Sequence, residues 1–372
     1  MKLASQAQMD RRLRVFILGV TMAILACTLV SVSEFHVAPH ASRPRIGFLL
    51  TGGRDEAGWN RCHFQGAMAA ATDYGIDLIV REHLSPRPES CRNAIESMAA
   101  QGVRFFILAG HFATPEIIAM LEQYPQMLFC VADAGCEKNN IVAYSLRFYE
   151  ARYLAGILAG QRTQTGFIGY IAPFPSPEIN AGINAFALGA QSVNPEARVQ
   201  VAWTGSWNAP EKEREAVTTL WQSQADVLTY QQDGHTVADA AEQAGIDYIG
   251  YQEAFTQHRH YLTAIKADWR GVYSELFRHF LLGELSGGDT FWPGLLHWSL
   301  SLSSFGDWVT PEQQDAVGNA ELNVLHGRPV FSGEILDRIG QQRCSEGEAI
   351  RSVCIRKKMD WLLRGVEIVG KG

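Results

Sequence analysis

The chain has 372 residues, of which 47% are apolar and 19% are charged, and its formal net charge is -7. This length is enough for two domains, and the composition is that of an ordinary folded protein. No basic stripe lies outside the N-terminus. The sequence therefore argues against nucleic-acid binding.

The first 33 residues are typical of an export signal. Basic residues at 11, 12 and 14 precede an uncharged run from Val15 to Ser33, which is also near the length that spans a bilayer. Residues 1–27 are interpreted as a signal or lipoprotein segment, because small residues precede Cys27 in "ILAC". An uncleaved anchor and cleavage after Ala41 are the alternatives.

All three interpretations place the chain from about Pro44 onward outside the cytoplasm, in the periplasm or cell envelope. Contact with the membrane is then made through a lipid on Cys27 or through the N-terminal apolar segment.

The cysteines are consistent with export. Once Cys27 is set aside, an even number remains, which predicts disulfides in an oxidising compartment. Proximity in sequence favours the pairs Cys344–Cys354 and Cys130–Cys136, which leaves Cys62 with Cys91. Buried free thiols are the alternative. No CxxC or clustered histidine spacing accompanies the cysteines, so we expect no metal site.

From Arg45 onward, short apolar runs alternate with helical patterns. This alternation predicts an α/β fold with parallel sheets and helices on both faces. One helix is expected to begin with Thr114 as its N-cap and Pro115 at its first position. We assign residues 44–146 and about 261–300 to a first unit, and residues 147–260 and about 301–372 to a second.

The turn from Thr51 to Gly66 lies between a predicted strand and a predicted helix, where open α/β folds bind ligands. It lacks both the Walker ending and the GxGxxG pattern. Asp55 and Asn60 can hydrogen-bond polar edges, and Trp59 offers a flat apolar face. The alternative is that this segment only starts the helix and fills the core. An acid at this turn would repel phosphate.

Other predicted strand ends carry aromatic, amide and acidic side chains. They are His111, Phe112, Phe174, Trp203, Trp207, Gln231, Gln232, Asp233, His235, Tyr251, Gln252 and Glu253. Each one alone fits ordinary loop chemistry or core filling. Together they predict a site for a flat heteroaromatic ligand. Aromatic rings would stack on the faces of this ligand, and polar groups would hydrogen-bond to its edge.

Signals for catalysis are weak. No GxSxG motif is present, and His258 and His260 lack identifiable partners for a metal. A nucleoside hydrolase would need a run of metal-binding aspartates, which the sequence does not show. We therefore expect no enzyme, no cofactor and no metal.

Long segments resemble one known family. "LRFYEARYLAGILAG" at 146–160, the stretch at 166–216 and "KMDWLLRGVEIVG" at 358–370 resemble the basic membrane protein family of ABC-transporter substrate-binding proteins. "RDEAGWNRCHFQG" is similar to the first turn of its "DxGW" branch, with one extra residue if Asp55 is the matching acid. The resemblance covers about Arg45 to Gly370.

The resemblance implies a type I periplasmic-binding fold, in which two doubly wound lobes joined by a hinge close over a ligand. It implies capture of purine nucleosides or related purines for an importer permease, and we expect a monomer. By position, the implied ligand residues are Asp55, Trp59, Asn60, His111, Phe112, Phe174, Trp207 and Lys266.

Two departures from the family concern the ligand. Gln252 stands where nucleoside binders typically carry an aspartate, and "QQDGH", which contains Asp233, replaces a Gly-rich loop. Both positions therefore join the candidate site residues, and a free or modified purine base is as plausible as a nucleoside. A membrane-anchored ligand sensor of the same fold is the alternative function.

Overall fold

The computed structural model describes residues 43–135 and 138–370. The chain from Arg45 onward forms one compact unit. The predicted signal segment, Cys27 and Cys136 lie outside the described residues. Within the described part of the chain, no helix is both long and apolar enough to cross a bilayer.

The first sheet contains six parallel strands in the order β11-β5-β4-β3-β1-β2. They are β1 (Arg45–Leu50), β2 (Asp77–Arg81), β3 (Phe105–Ala109), β4 (Leu128–Ala132), β5 (Ile141–Tyr144) and β11 (Thr290–Phe291). Strand β3 is buried throughout, because helices cover both faces of the sheet.

The second sheet contains seven strands in the order β12-β10-β9-β8-β6-β7-β15, and only β12 runs antiparallel. They are β6 (Phe167–Ala172), β7 (Arg198–Trp203), β8 (Val227–Tyr230), β9 (Asp247–Tyr251), β10 (Tyr261–Ala267), β12 (Leu300–Leu302) and β15 (Val366–Ile368). A short hairpin, β13 (Ile335–Leu336) and β14 (Gln342–Cys344), stands apart from both sheets.

The helices follow the predicted alternation. They are α1 (Trp59–Asp73), α2 (Pro88–Ala99), α3 (Pro115–Leu121), α4 (Phe148–Arg162), α5 (Pro177–Val193), α6 (Pro210–Gln222), α7 (Thr236–Ala244), α8 (Trp269–Leu281), α9 (Pro311–Leu325) and α10 (Ser352–Lys358). The Thr114 side chain accepts a hydrogen bond from the N–H of Ile117, and Pro115 is the first residue of α3. Both features confirm the sequence prediction.

The fold is an α/β fold with two doubly wound lobes, as predicted, but one boundary differs. The sequence assigns residues from about 261 to the first lobe, whereas β10 pairs with β9 in the second sheet. The chain crosses to the first lobe only after β10, where α8 packs against α1. The chain returns to the second lobe between β11 and β12. Together with the crossover between β5 and α4, three crossovers of the described chain therefore join the lobes.

The structure does not contain the two predicted disulfide pairs whose cysteines are both described. Cys62, Cys91, Cys344 and Cys354 are free thiols, and so is Cys130. Cys62 packs against the core cluster that contains α1, while Cys91 lies in the cluster formed with α2 and α3 on the other side of the first sheet. The sheet therefore separates the two sulfur atoms.

Candidate functional site

The two lobes meet where the carboxyl ends of their parallel strands face each other. The backbone N–H of Trp59, at the start of α1, donates a 2.9 Å hydrogen bond to Asp233 Oδ1, which follows β8 of the second lobe. The N–H of Gly58 donates to Glu253 Oε1 at 3.4 Å. The helix N-terminus has no capping side chain of its own, so acids of the opposite lobe satisfy its first donors.

Glu253 is the centre of an ion-pair network across this junction. It accepts a close hydrogen bond from Arg61 of the first lobe and lies 2.8 Å from His235 Nε2 of the second. Burial alone would raise the pKa of Glu253, but the hydrogen bond and charge of Arg61, with smaller contributions from Gly58 and His235, lower it below its ordinary value. Glu253 therefore stays ionised and can attract the positive charge of Arg61 in the first lobe.

Asp233 has the opposite electrostatic character. Burial raises its pKa to about 7, although the hydrogen bond from the N–H of Trp59 lowers it. The negative charges of Glu56, Glu213 and Glu253 raise it further. The contact between Trp59 and Asp233 is therefore made by a carboxyl that titrates near neutral pH.

Aromatic rings also meet between the lobes. The ring of His111, after β3, stacks on the indole of Trp207, after β7, with centroids 4.8 Å apart and planes 20° apart. Phe174 meets Trp207 edge-on at 5.5 Å. His111 remains accessible at the surface. Partial loss of contact with water among its neighbours lowers its pKa to about 4. Its imidazole is therefore neutral at physiological pH and suits stacking.

Trp59 forms the first-lobe wall with two neighbours. Its indole lies 4.1 Å from the ring of His63 and 5.3 Å from that of Trp269, centroid to centroid. His63 is fully buried, and its Nδ1 lies 2.6 Å from the hydroxyl of Tyr273. Phe148 continues this wall towards the second lobe, since it lies 6.4 Å from Trp269 and 5.7 Å from Tyr251.

Several buried polar atoms beside these walls have no hydrogen-bond partner among the described residues. They include the indole Nε1 atoms of Trp59, Trp207 and Trp269, Nε2 of Gln252, and the hydroxyls of Tyr230 and Tyr251. A buried donor without a partner destabilises the protein by about 1–3 kcal/mol. Indole N–H groups can only donate. These atoms are therefore suited to acceptor atoms on a ligand.

Gln252 has a strained backbone at the same place. Its φ is +64°, in the left-handed region, and its side chain is buried. The N–H of Gln252 donates to the carbonyl of Ile265 at 2.8 Å, which holds this conformation. Strain of this kind costs about 1–3 kcal/mol and occurs preferentially at functional sites.

A partly open cavity of about 50 Å³ lies between the lobes. Its lining includes Asp133 and Ser145 of the first lobe, Glu178 at the start of α5, and the aromatic residues Phe148, Tyr149 and Trp292. Small-molecule sites usually measure about 300–1,000 Å³. A ligand larger than a few waters therefore requires the lobes to separate further.

Six of the predicted site residues lie at this junction. They are Trp59, His111, Phe174, Trp207, Asp233 and Gln252. Asn60 lies behind them, where its Oδ1 accepts from the N–H of Gly52 at 3.4 Å and its Nδ2 donates to Glu56 at 3.3 Å. Asn60 therefore shapes the turn.

Three other predicted site residues are not among these. Asp55 is exposed, and Asp233 supplies the acid beside Trp59 instead. Phe112 is fully buried in the first-lobe core, because its neighbour His111 faces the second lobe. Lys266 is half-buried on β10, where its charge lowers the pKa of the Cys62 thiol against the larger effect of burial.

The sequence analysis missed several residues at this junction. They are His63, Asp133, Arg152, Glu178 and Trp269. Asp133 directly follows the apolar run of β4, so the rule that identified the other strand ends could have found it. Arg152 and His63 lie inside helices, where no spacing distinguishes them from solvated residues.

Comparison with known proteins identifies the family. The profile described as "Bmp: ABC transporter substrate-binding protein PnrA-like" matches residues 43–322. The chain belongs to the Bmp family. This Bmp protein is 32% identical over 305 residues to a putative ABC transporter glucose-binding protein of Haloferax volcanii, covering 79% of this chain and 77% of that one. It is 27% identical to a purine-binding protein of Brucella abortus, covering 84% and 90%.

Solved structures agree with this fold. A transcriptional activator of the comK gene from Bacillus halodurans superposes with a TM-score of 0.68 at 22% identity, covering 76% of the Bmp protein and 98% of that chain. A solute-binding protein of an ABC transporter from Aeropyrum pernix gives a TM-score of 0.64 at 18% identity, covering 76% and 92%. The Bmp protein therefore has the type I periplasmic-binding fold.

Membership of this family defines the general function. The Bmp protein is an extracytoplasmic substrate-binding protein of the ABC-transporter type, a class that binds a small molecule and works with a permease. The junction between its lobes is the candidate ligand site.

Proposed function

We propose that the protein captures a purine base or purine nucleoside between its two lobes and delivers it to an ABC importer. The observation that carries this proposal is the set of buried N–H donors beside aromatic walls, at Trp59, Trp207 and Gln252. A purine offers ring nitrogens to such donors and a flat face to the rings. Its edge N–H groups can be read by carboxyl groups such as that of Asp133, which lines the cavity.

Two relatives are named for different ligands, glucose and purine. The chemistry of the site favours purine. A hexose has no flat π face for the aromatic rings, and each of its hydroxyls donates as well as accepts, so it needs acceptors in the site. The carboxyls of Asp233 and Glu253 already accept from the N–H groups of Trp59 and Gly58, and the unpartnered indole groups can only donate.

Anchoring through Cys27 or the N-terminal apolar segment belongs to the same proposal, because delivery to a permease occurs at the membrane. The alternative, a membrane-anchored ligand sensor, would use the same cleft. Capture of a purine without any effect on purine uptake in cells would favour the sensor.

The decisive experiment is calorimetric titration of the protein produced from Arg43, after unfolding and refolding to remove bound ligand. Adenine, guanine, hypoxanthine, their nucleosides and D-glucose are compared. Binding of one purine without binding of glucose supports the proposal and ranks base against nucleoside. Binding of glucose alone, or of none of these compounds, contradicts it.

One substitution localises the site. Trp207→Phe keeps an aromatic face and removes the indole N–H, so purine affinity should fall roughly three- to tenfold, the equivalent of one hydrogen bond. Trp221→Phe is the matched control, because Trp221 is 59% exposed on α6 of the same lobe. Equal affinities for both variants would place the ligand elsewhere.

A further inference from the structure

Arg356 brings an unpaired positive charge to the cavity between the lobes. It lies on α10, and its half-buried side chain lines the cavity. Within residues 43–135 and 138–370, its guanidinium makes no hydrogen bond and no ion pair. Arg147 and Arg152 of α4 and its start, by contrast, donate to protein groups. The N–H donors of Arg356 are therefore available to a ligand in the cavity.

The helix that carries Arg356 is fixed on the second lobe. Its neighbour Ile355 is buried, and so is Met359 directly after the helix. The amide Nδ2 of Asn180, a buried residue of α5, donates to the carbonyl of Met359 at 2.9 Å. Because α10 is held on both sides of Arg356, the backbone of this residue is already in place when a ligand arrives.

The cavity also offers hydrogen-bond acceptors and aromatic faces. The carboxyls of Asp133 and Glu178 line it, together with the rings of Tyr149 and Trp292. Asp133 is exposed, its carboxyl accepts from the hydroxyl of Ser145, and its φ of +54° lies in the left-handed region. Backbone strain of this kind occurs preferentially at functional sites. Donors, acceptors and flat faces are therefore combined within one small volume.

An arginine distinguishes purines by the atoms at their edge. The O6 and N7 atoms of a 6-oxopurine are neighbouring acceptors, which a guanidinium can bind with two parallel hydrogen bonds. Adenine has an amino donor beside N7, so this edge would face the guanidinium with one donor and one acceptor. The N1–H of the 6-oxopurine is a further donor, which a carboxylate can accept. An unpaired guanidinium with carboxyls in the same cavity therefore suits the oxo form.

We propose that Arg356 binds the O6 and N7 edge of a 6-oxopurine, so that hypoxanthine, guanine or their nucleosides bind more tightly than adenine compounds. This inference rests on the proposed capture of a purine and names the class of purine. Arg356 lies beyond residues 43–322, which the family profile matches. The selectivity is then a property of the C-terminal segment that α10 belongs to.

Calorimetric titration with matched ligands tests the proposal. Hypoxanthine and adenine differ only at position 6 and in the proton at N1, and inosine and adenosine differ in the same way. In the protein produced from Arg43, whose compact unit begins at Arg45, the oxo member should bind between about fivefold and a hundredfold more tightly. Equal affinities, or tighter binding of the amino member, would overturn this proposal and leave purine capture intact. Binding of no purine would overturn both.

Substitutions of Arg356 separate recognition from a structural role. Arg356→Gln removes the charge, and its amide can pair with N6 and N7 of adenine, so the ratio of oxo to amino affinity should fall to about one or below. Arg356→Lys keeps the charge without the planar donors and should give an intermediate ratio. A structural role alone would weaken both ligands equally, so an unchanged ratio in Arg356→Gln would overturn the proposal.

Lys358→Gln is the matched control for these variants. Lys358 is the exposed last residue of the same helix. Its substitution removes an equal charge from α10 and should leave the ratio of affinities unchanged. If Lys358→Gln lowers the ratio as much as Arg356→Gln does, the general charge of the helix sets the preference, and a specific contact from Arg356 is contradicted.

Discussion

The N–H of Trp59 donates to the carboxylate of Asp233, 174 residues away in the chain, at 2.9 Å. The donor begins a helix of the first lobe, and the acceptor follows a strand of the second. This bond forms only when the lobes meet, so the first turn of α1 is completed by lobe closure.

Asp233→Asn should reduce the pH dependence of ligand affinity. In the closed form, burial raises the pKa of Asp233 to about 7. The raised pKa penalises closure progressively as the pH rises from about 4 to about 7. Asparagine lacks this penalty, so the variant should bind more tightly than the parent at neutral pH. Titrations across this range check the prediction, and an unchanged slope would contradict it.

Gly58→Ala should weaken ligand binding while leaving each lobe folded. Gly58 has a φ of +84°, and a Cβ there would lie 2.6 Å from Asp233 Oδ1 and 3.0 Å from its Cα. The added methyl therefore obstructs closure, and affinity should fall by more than about tenfold, since both strain and collision act. Calorimetry measures the affinity.

Gly75→Ala is the control for Gly58→Ala. Gly75 has a φ of +63° just beyond the other end of α1, with no heavy atom within 4 Å of an added Cβ. It also has a positive φ, so alanine is disfavoured there too, but the added Cβ would collide with nothing. If both variants lose affinity equally, the contact with Asp233 does not limit closure.

Gly156→Ala should destabilise the second lobe strongly. A Cβ on Gly156 of α4 would lie 2.0 Å from the carbonyl oxygen of Phe186 on α5, so these helices must move apart. We expect a loss of about 3 kcal/mol or more in the free energy of unfolding, measured with denaturant. Gly318→Ala, in the interior of α9 with open space around it, should instead stabilise by about 0.5–1 kcal/mol.

The thiols provide a chemical test of the fold. Alkylation after denaturation but without reduction should modify Cys62, Cys91, Cys344 and Cys354, because none is bonded in the structure. Mass spectrometry of peptides gives the result directly. A peptide that links Cys62 to Cys91 would contradict the placement of these residues on opposite sides of the first sheet.

Local patterns predicted most of the fold. The buried runs gave the positions of strands such as β3, and Thr114 with Pro115 marked the start of α3. The assignment of β10 to the second sheet could not be predicted, because crossovers between lobes carry no local signal. Only long-range pairing with β9 decides it.

The sequence indicated the region of the candidate site but not the position of each side chain within it. The strand ends that the sequence indicated lie at the junction between the lobes, yet His111 and its neighbour Phe112 differ completely in burial. No periodicity in a loop distinguishes such neighbours. Asp55 and Asp233 give a second example. The sequence indicated Asp55 as the acid near Trp59, whereas Asp233 of the other lobe lies there.

The last strand also affects how the protein is made. Strand β15 pairs with β7 at the edge of the second sheet, through bonds such as that from the N–H of Val199 to the carbonyl of Gly365 at 2.9 Å. Because β15 lies far beyond β7 in the chain, the backbone groups on this side of β7 lack these partners until most of the described chain has been made. The second lobe therefore cannot complete its sheet from the residues around β7 alone.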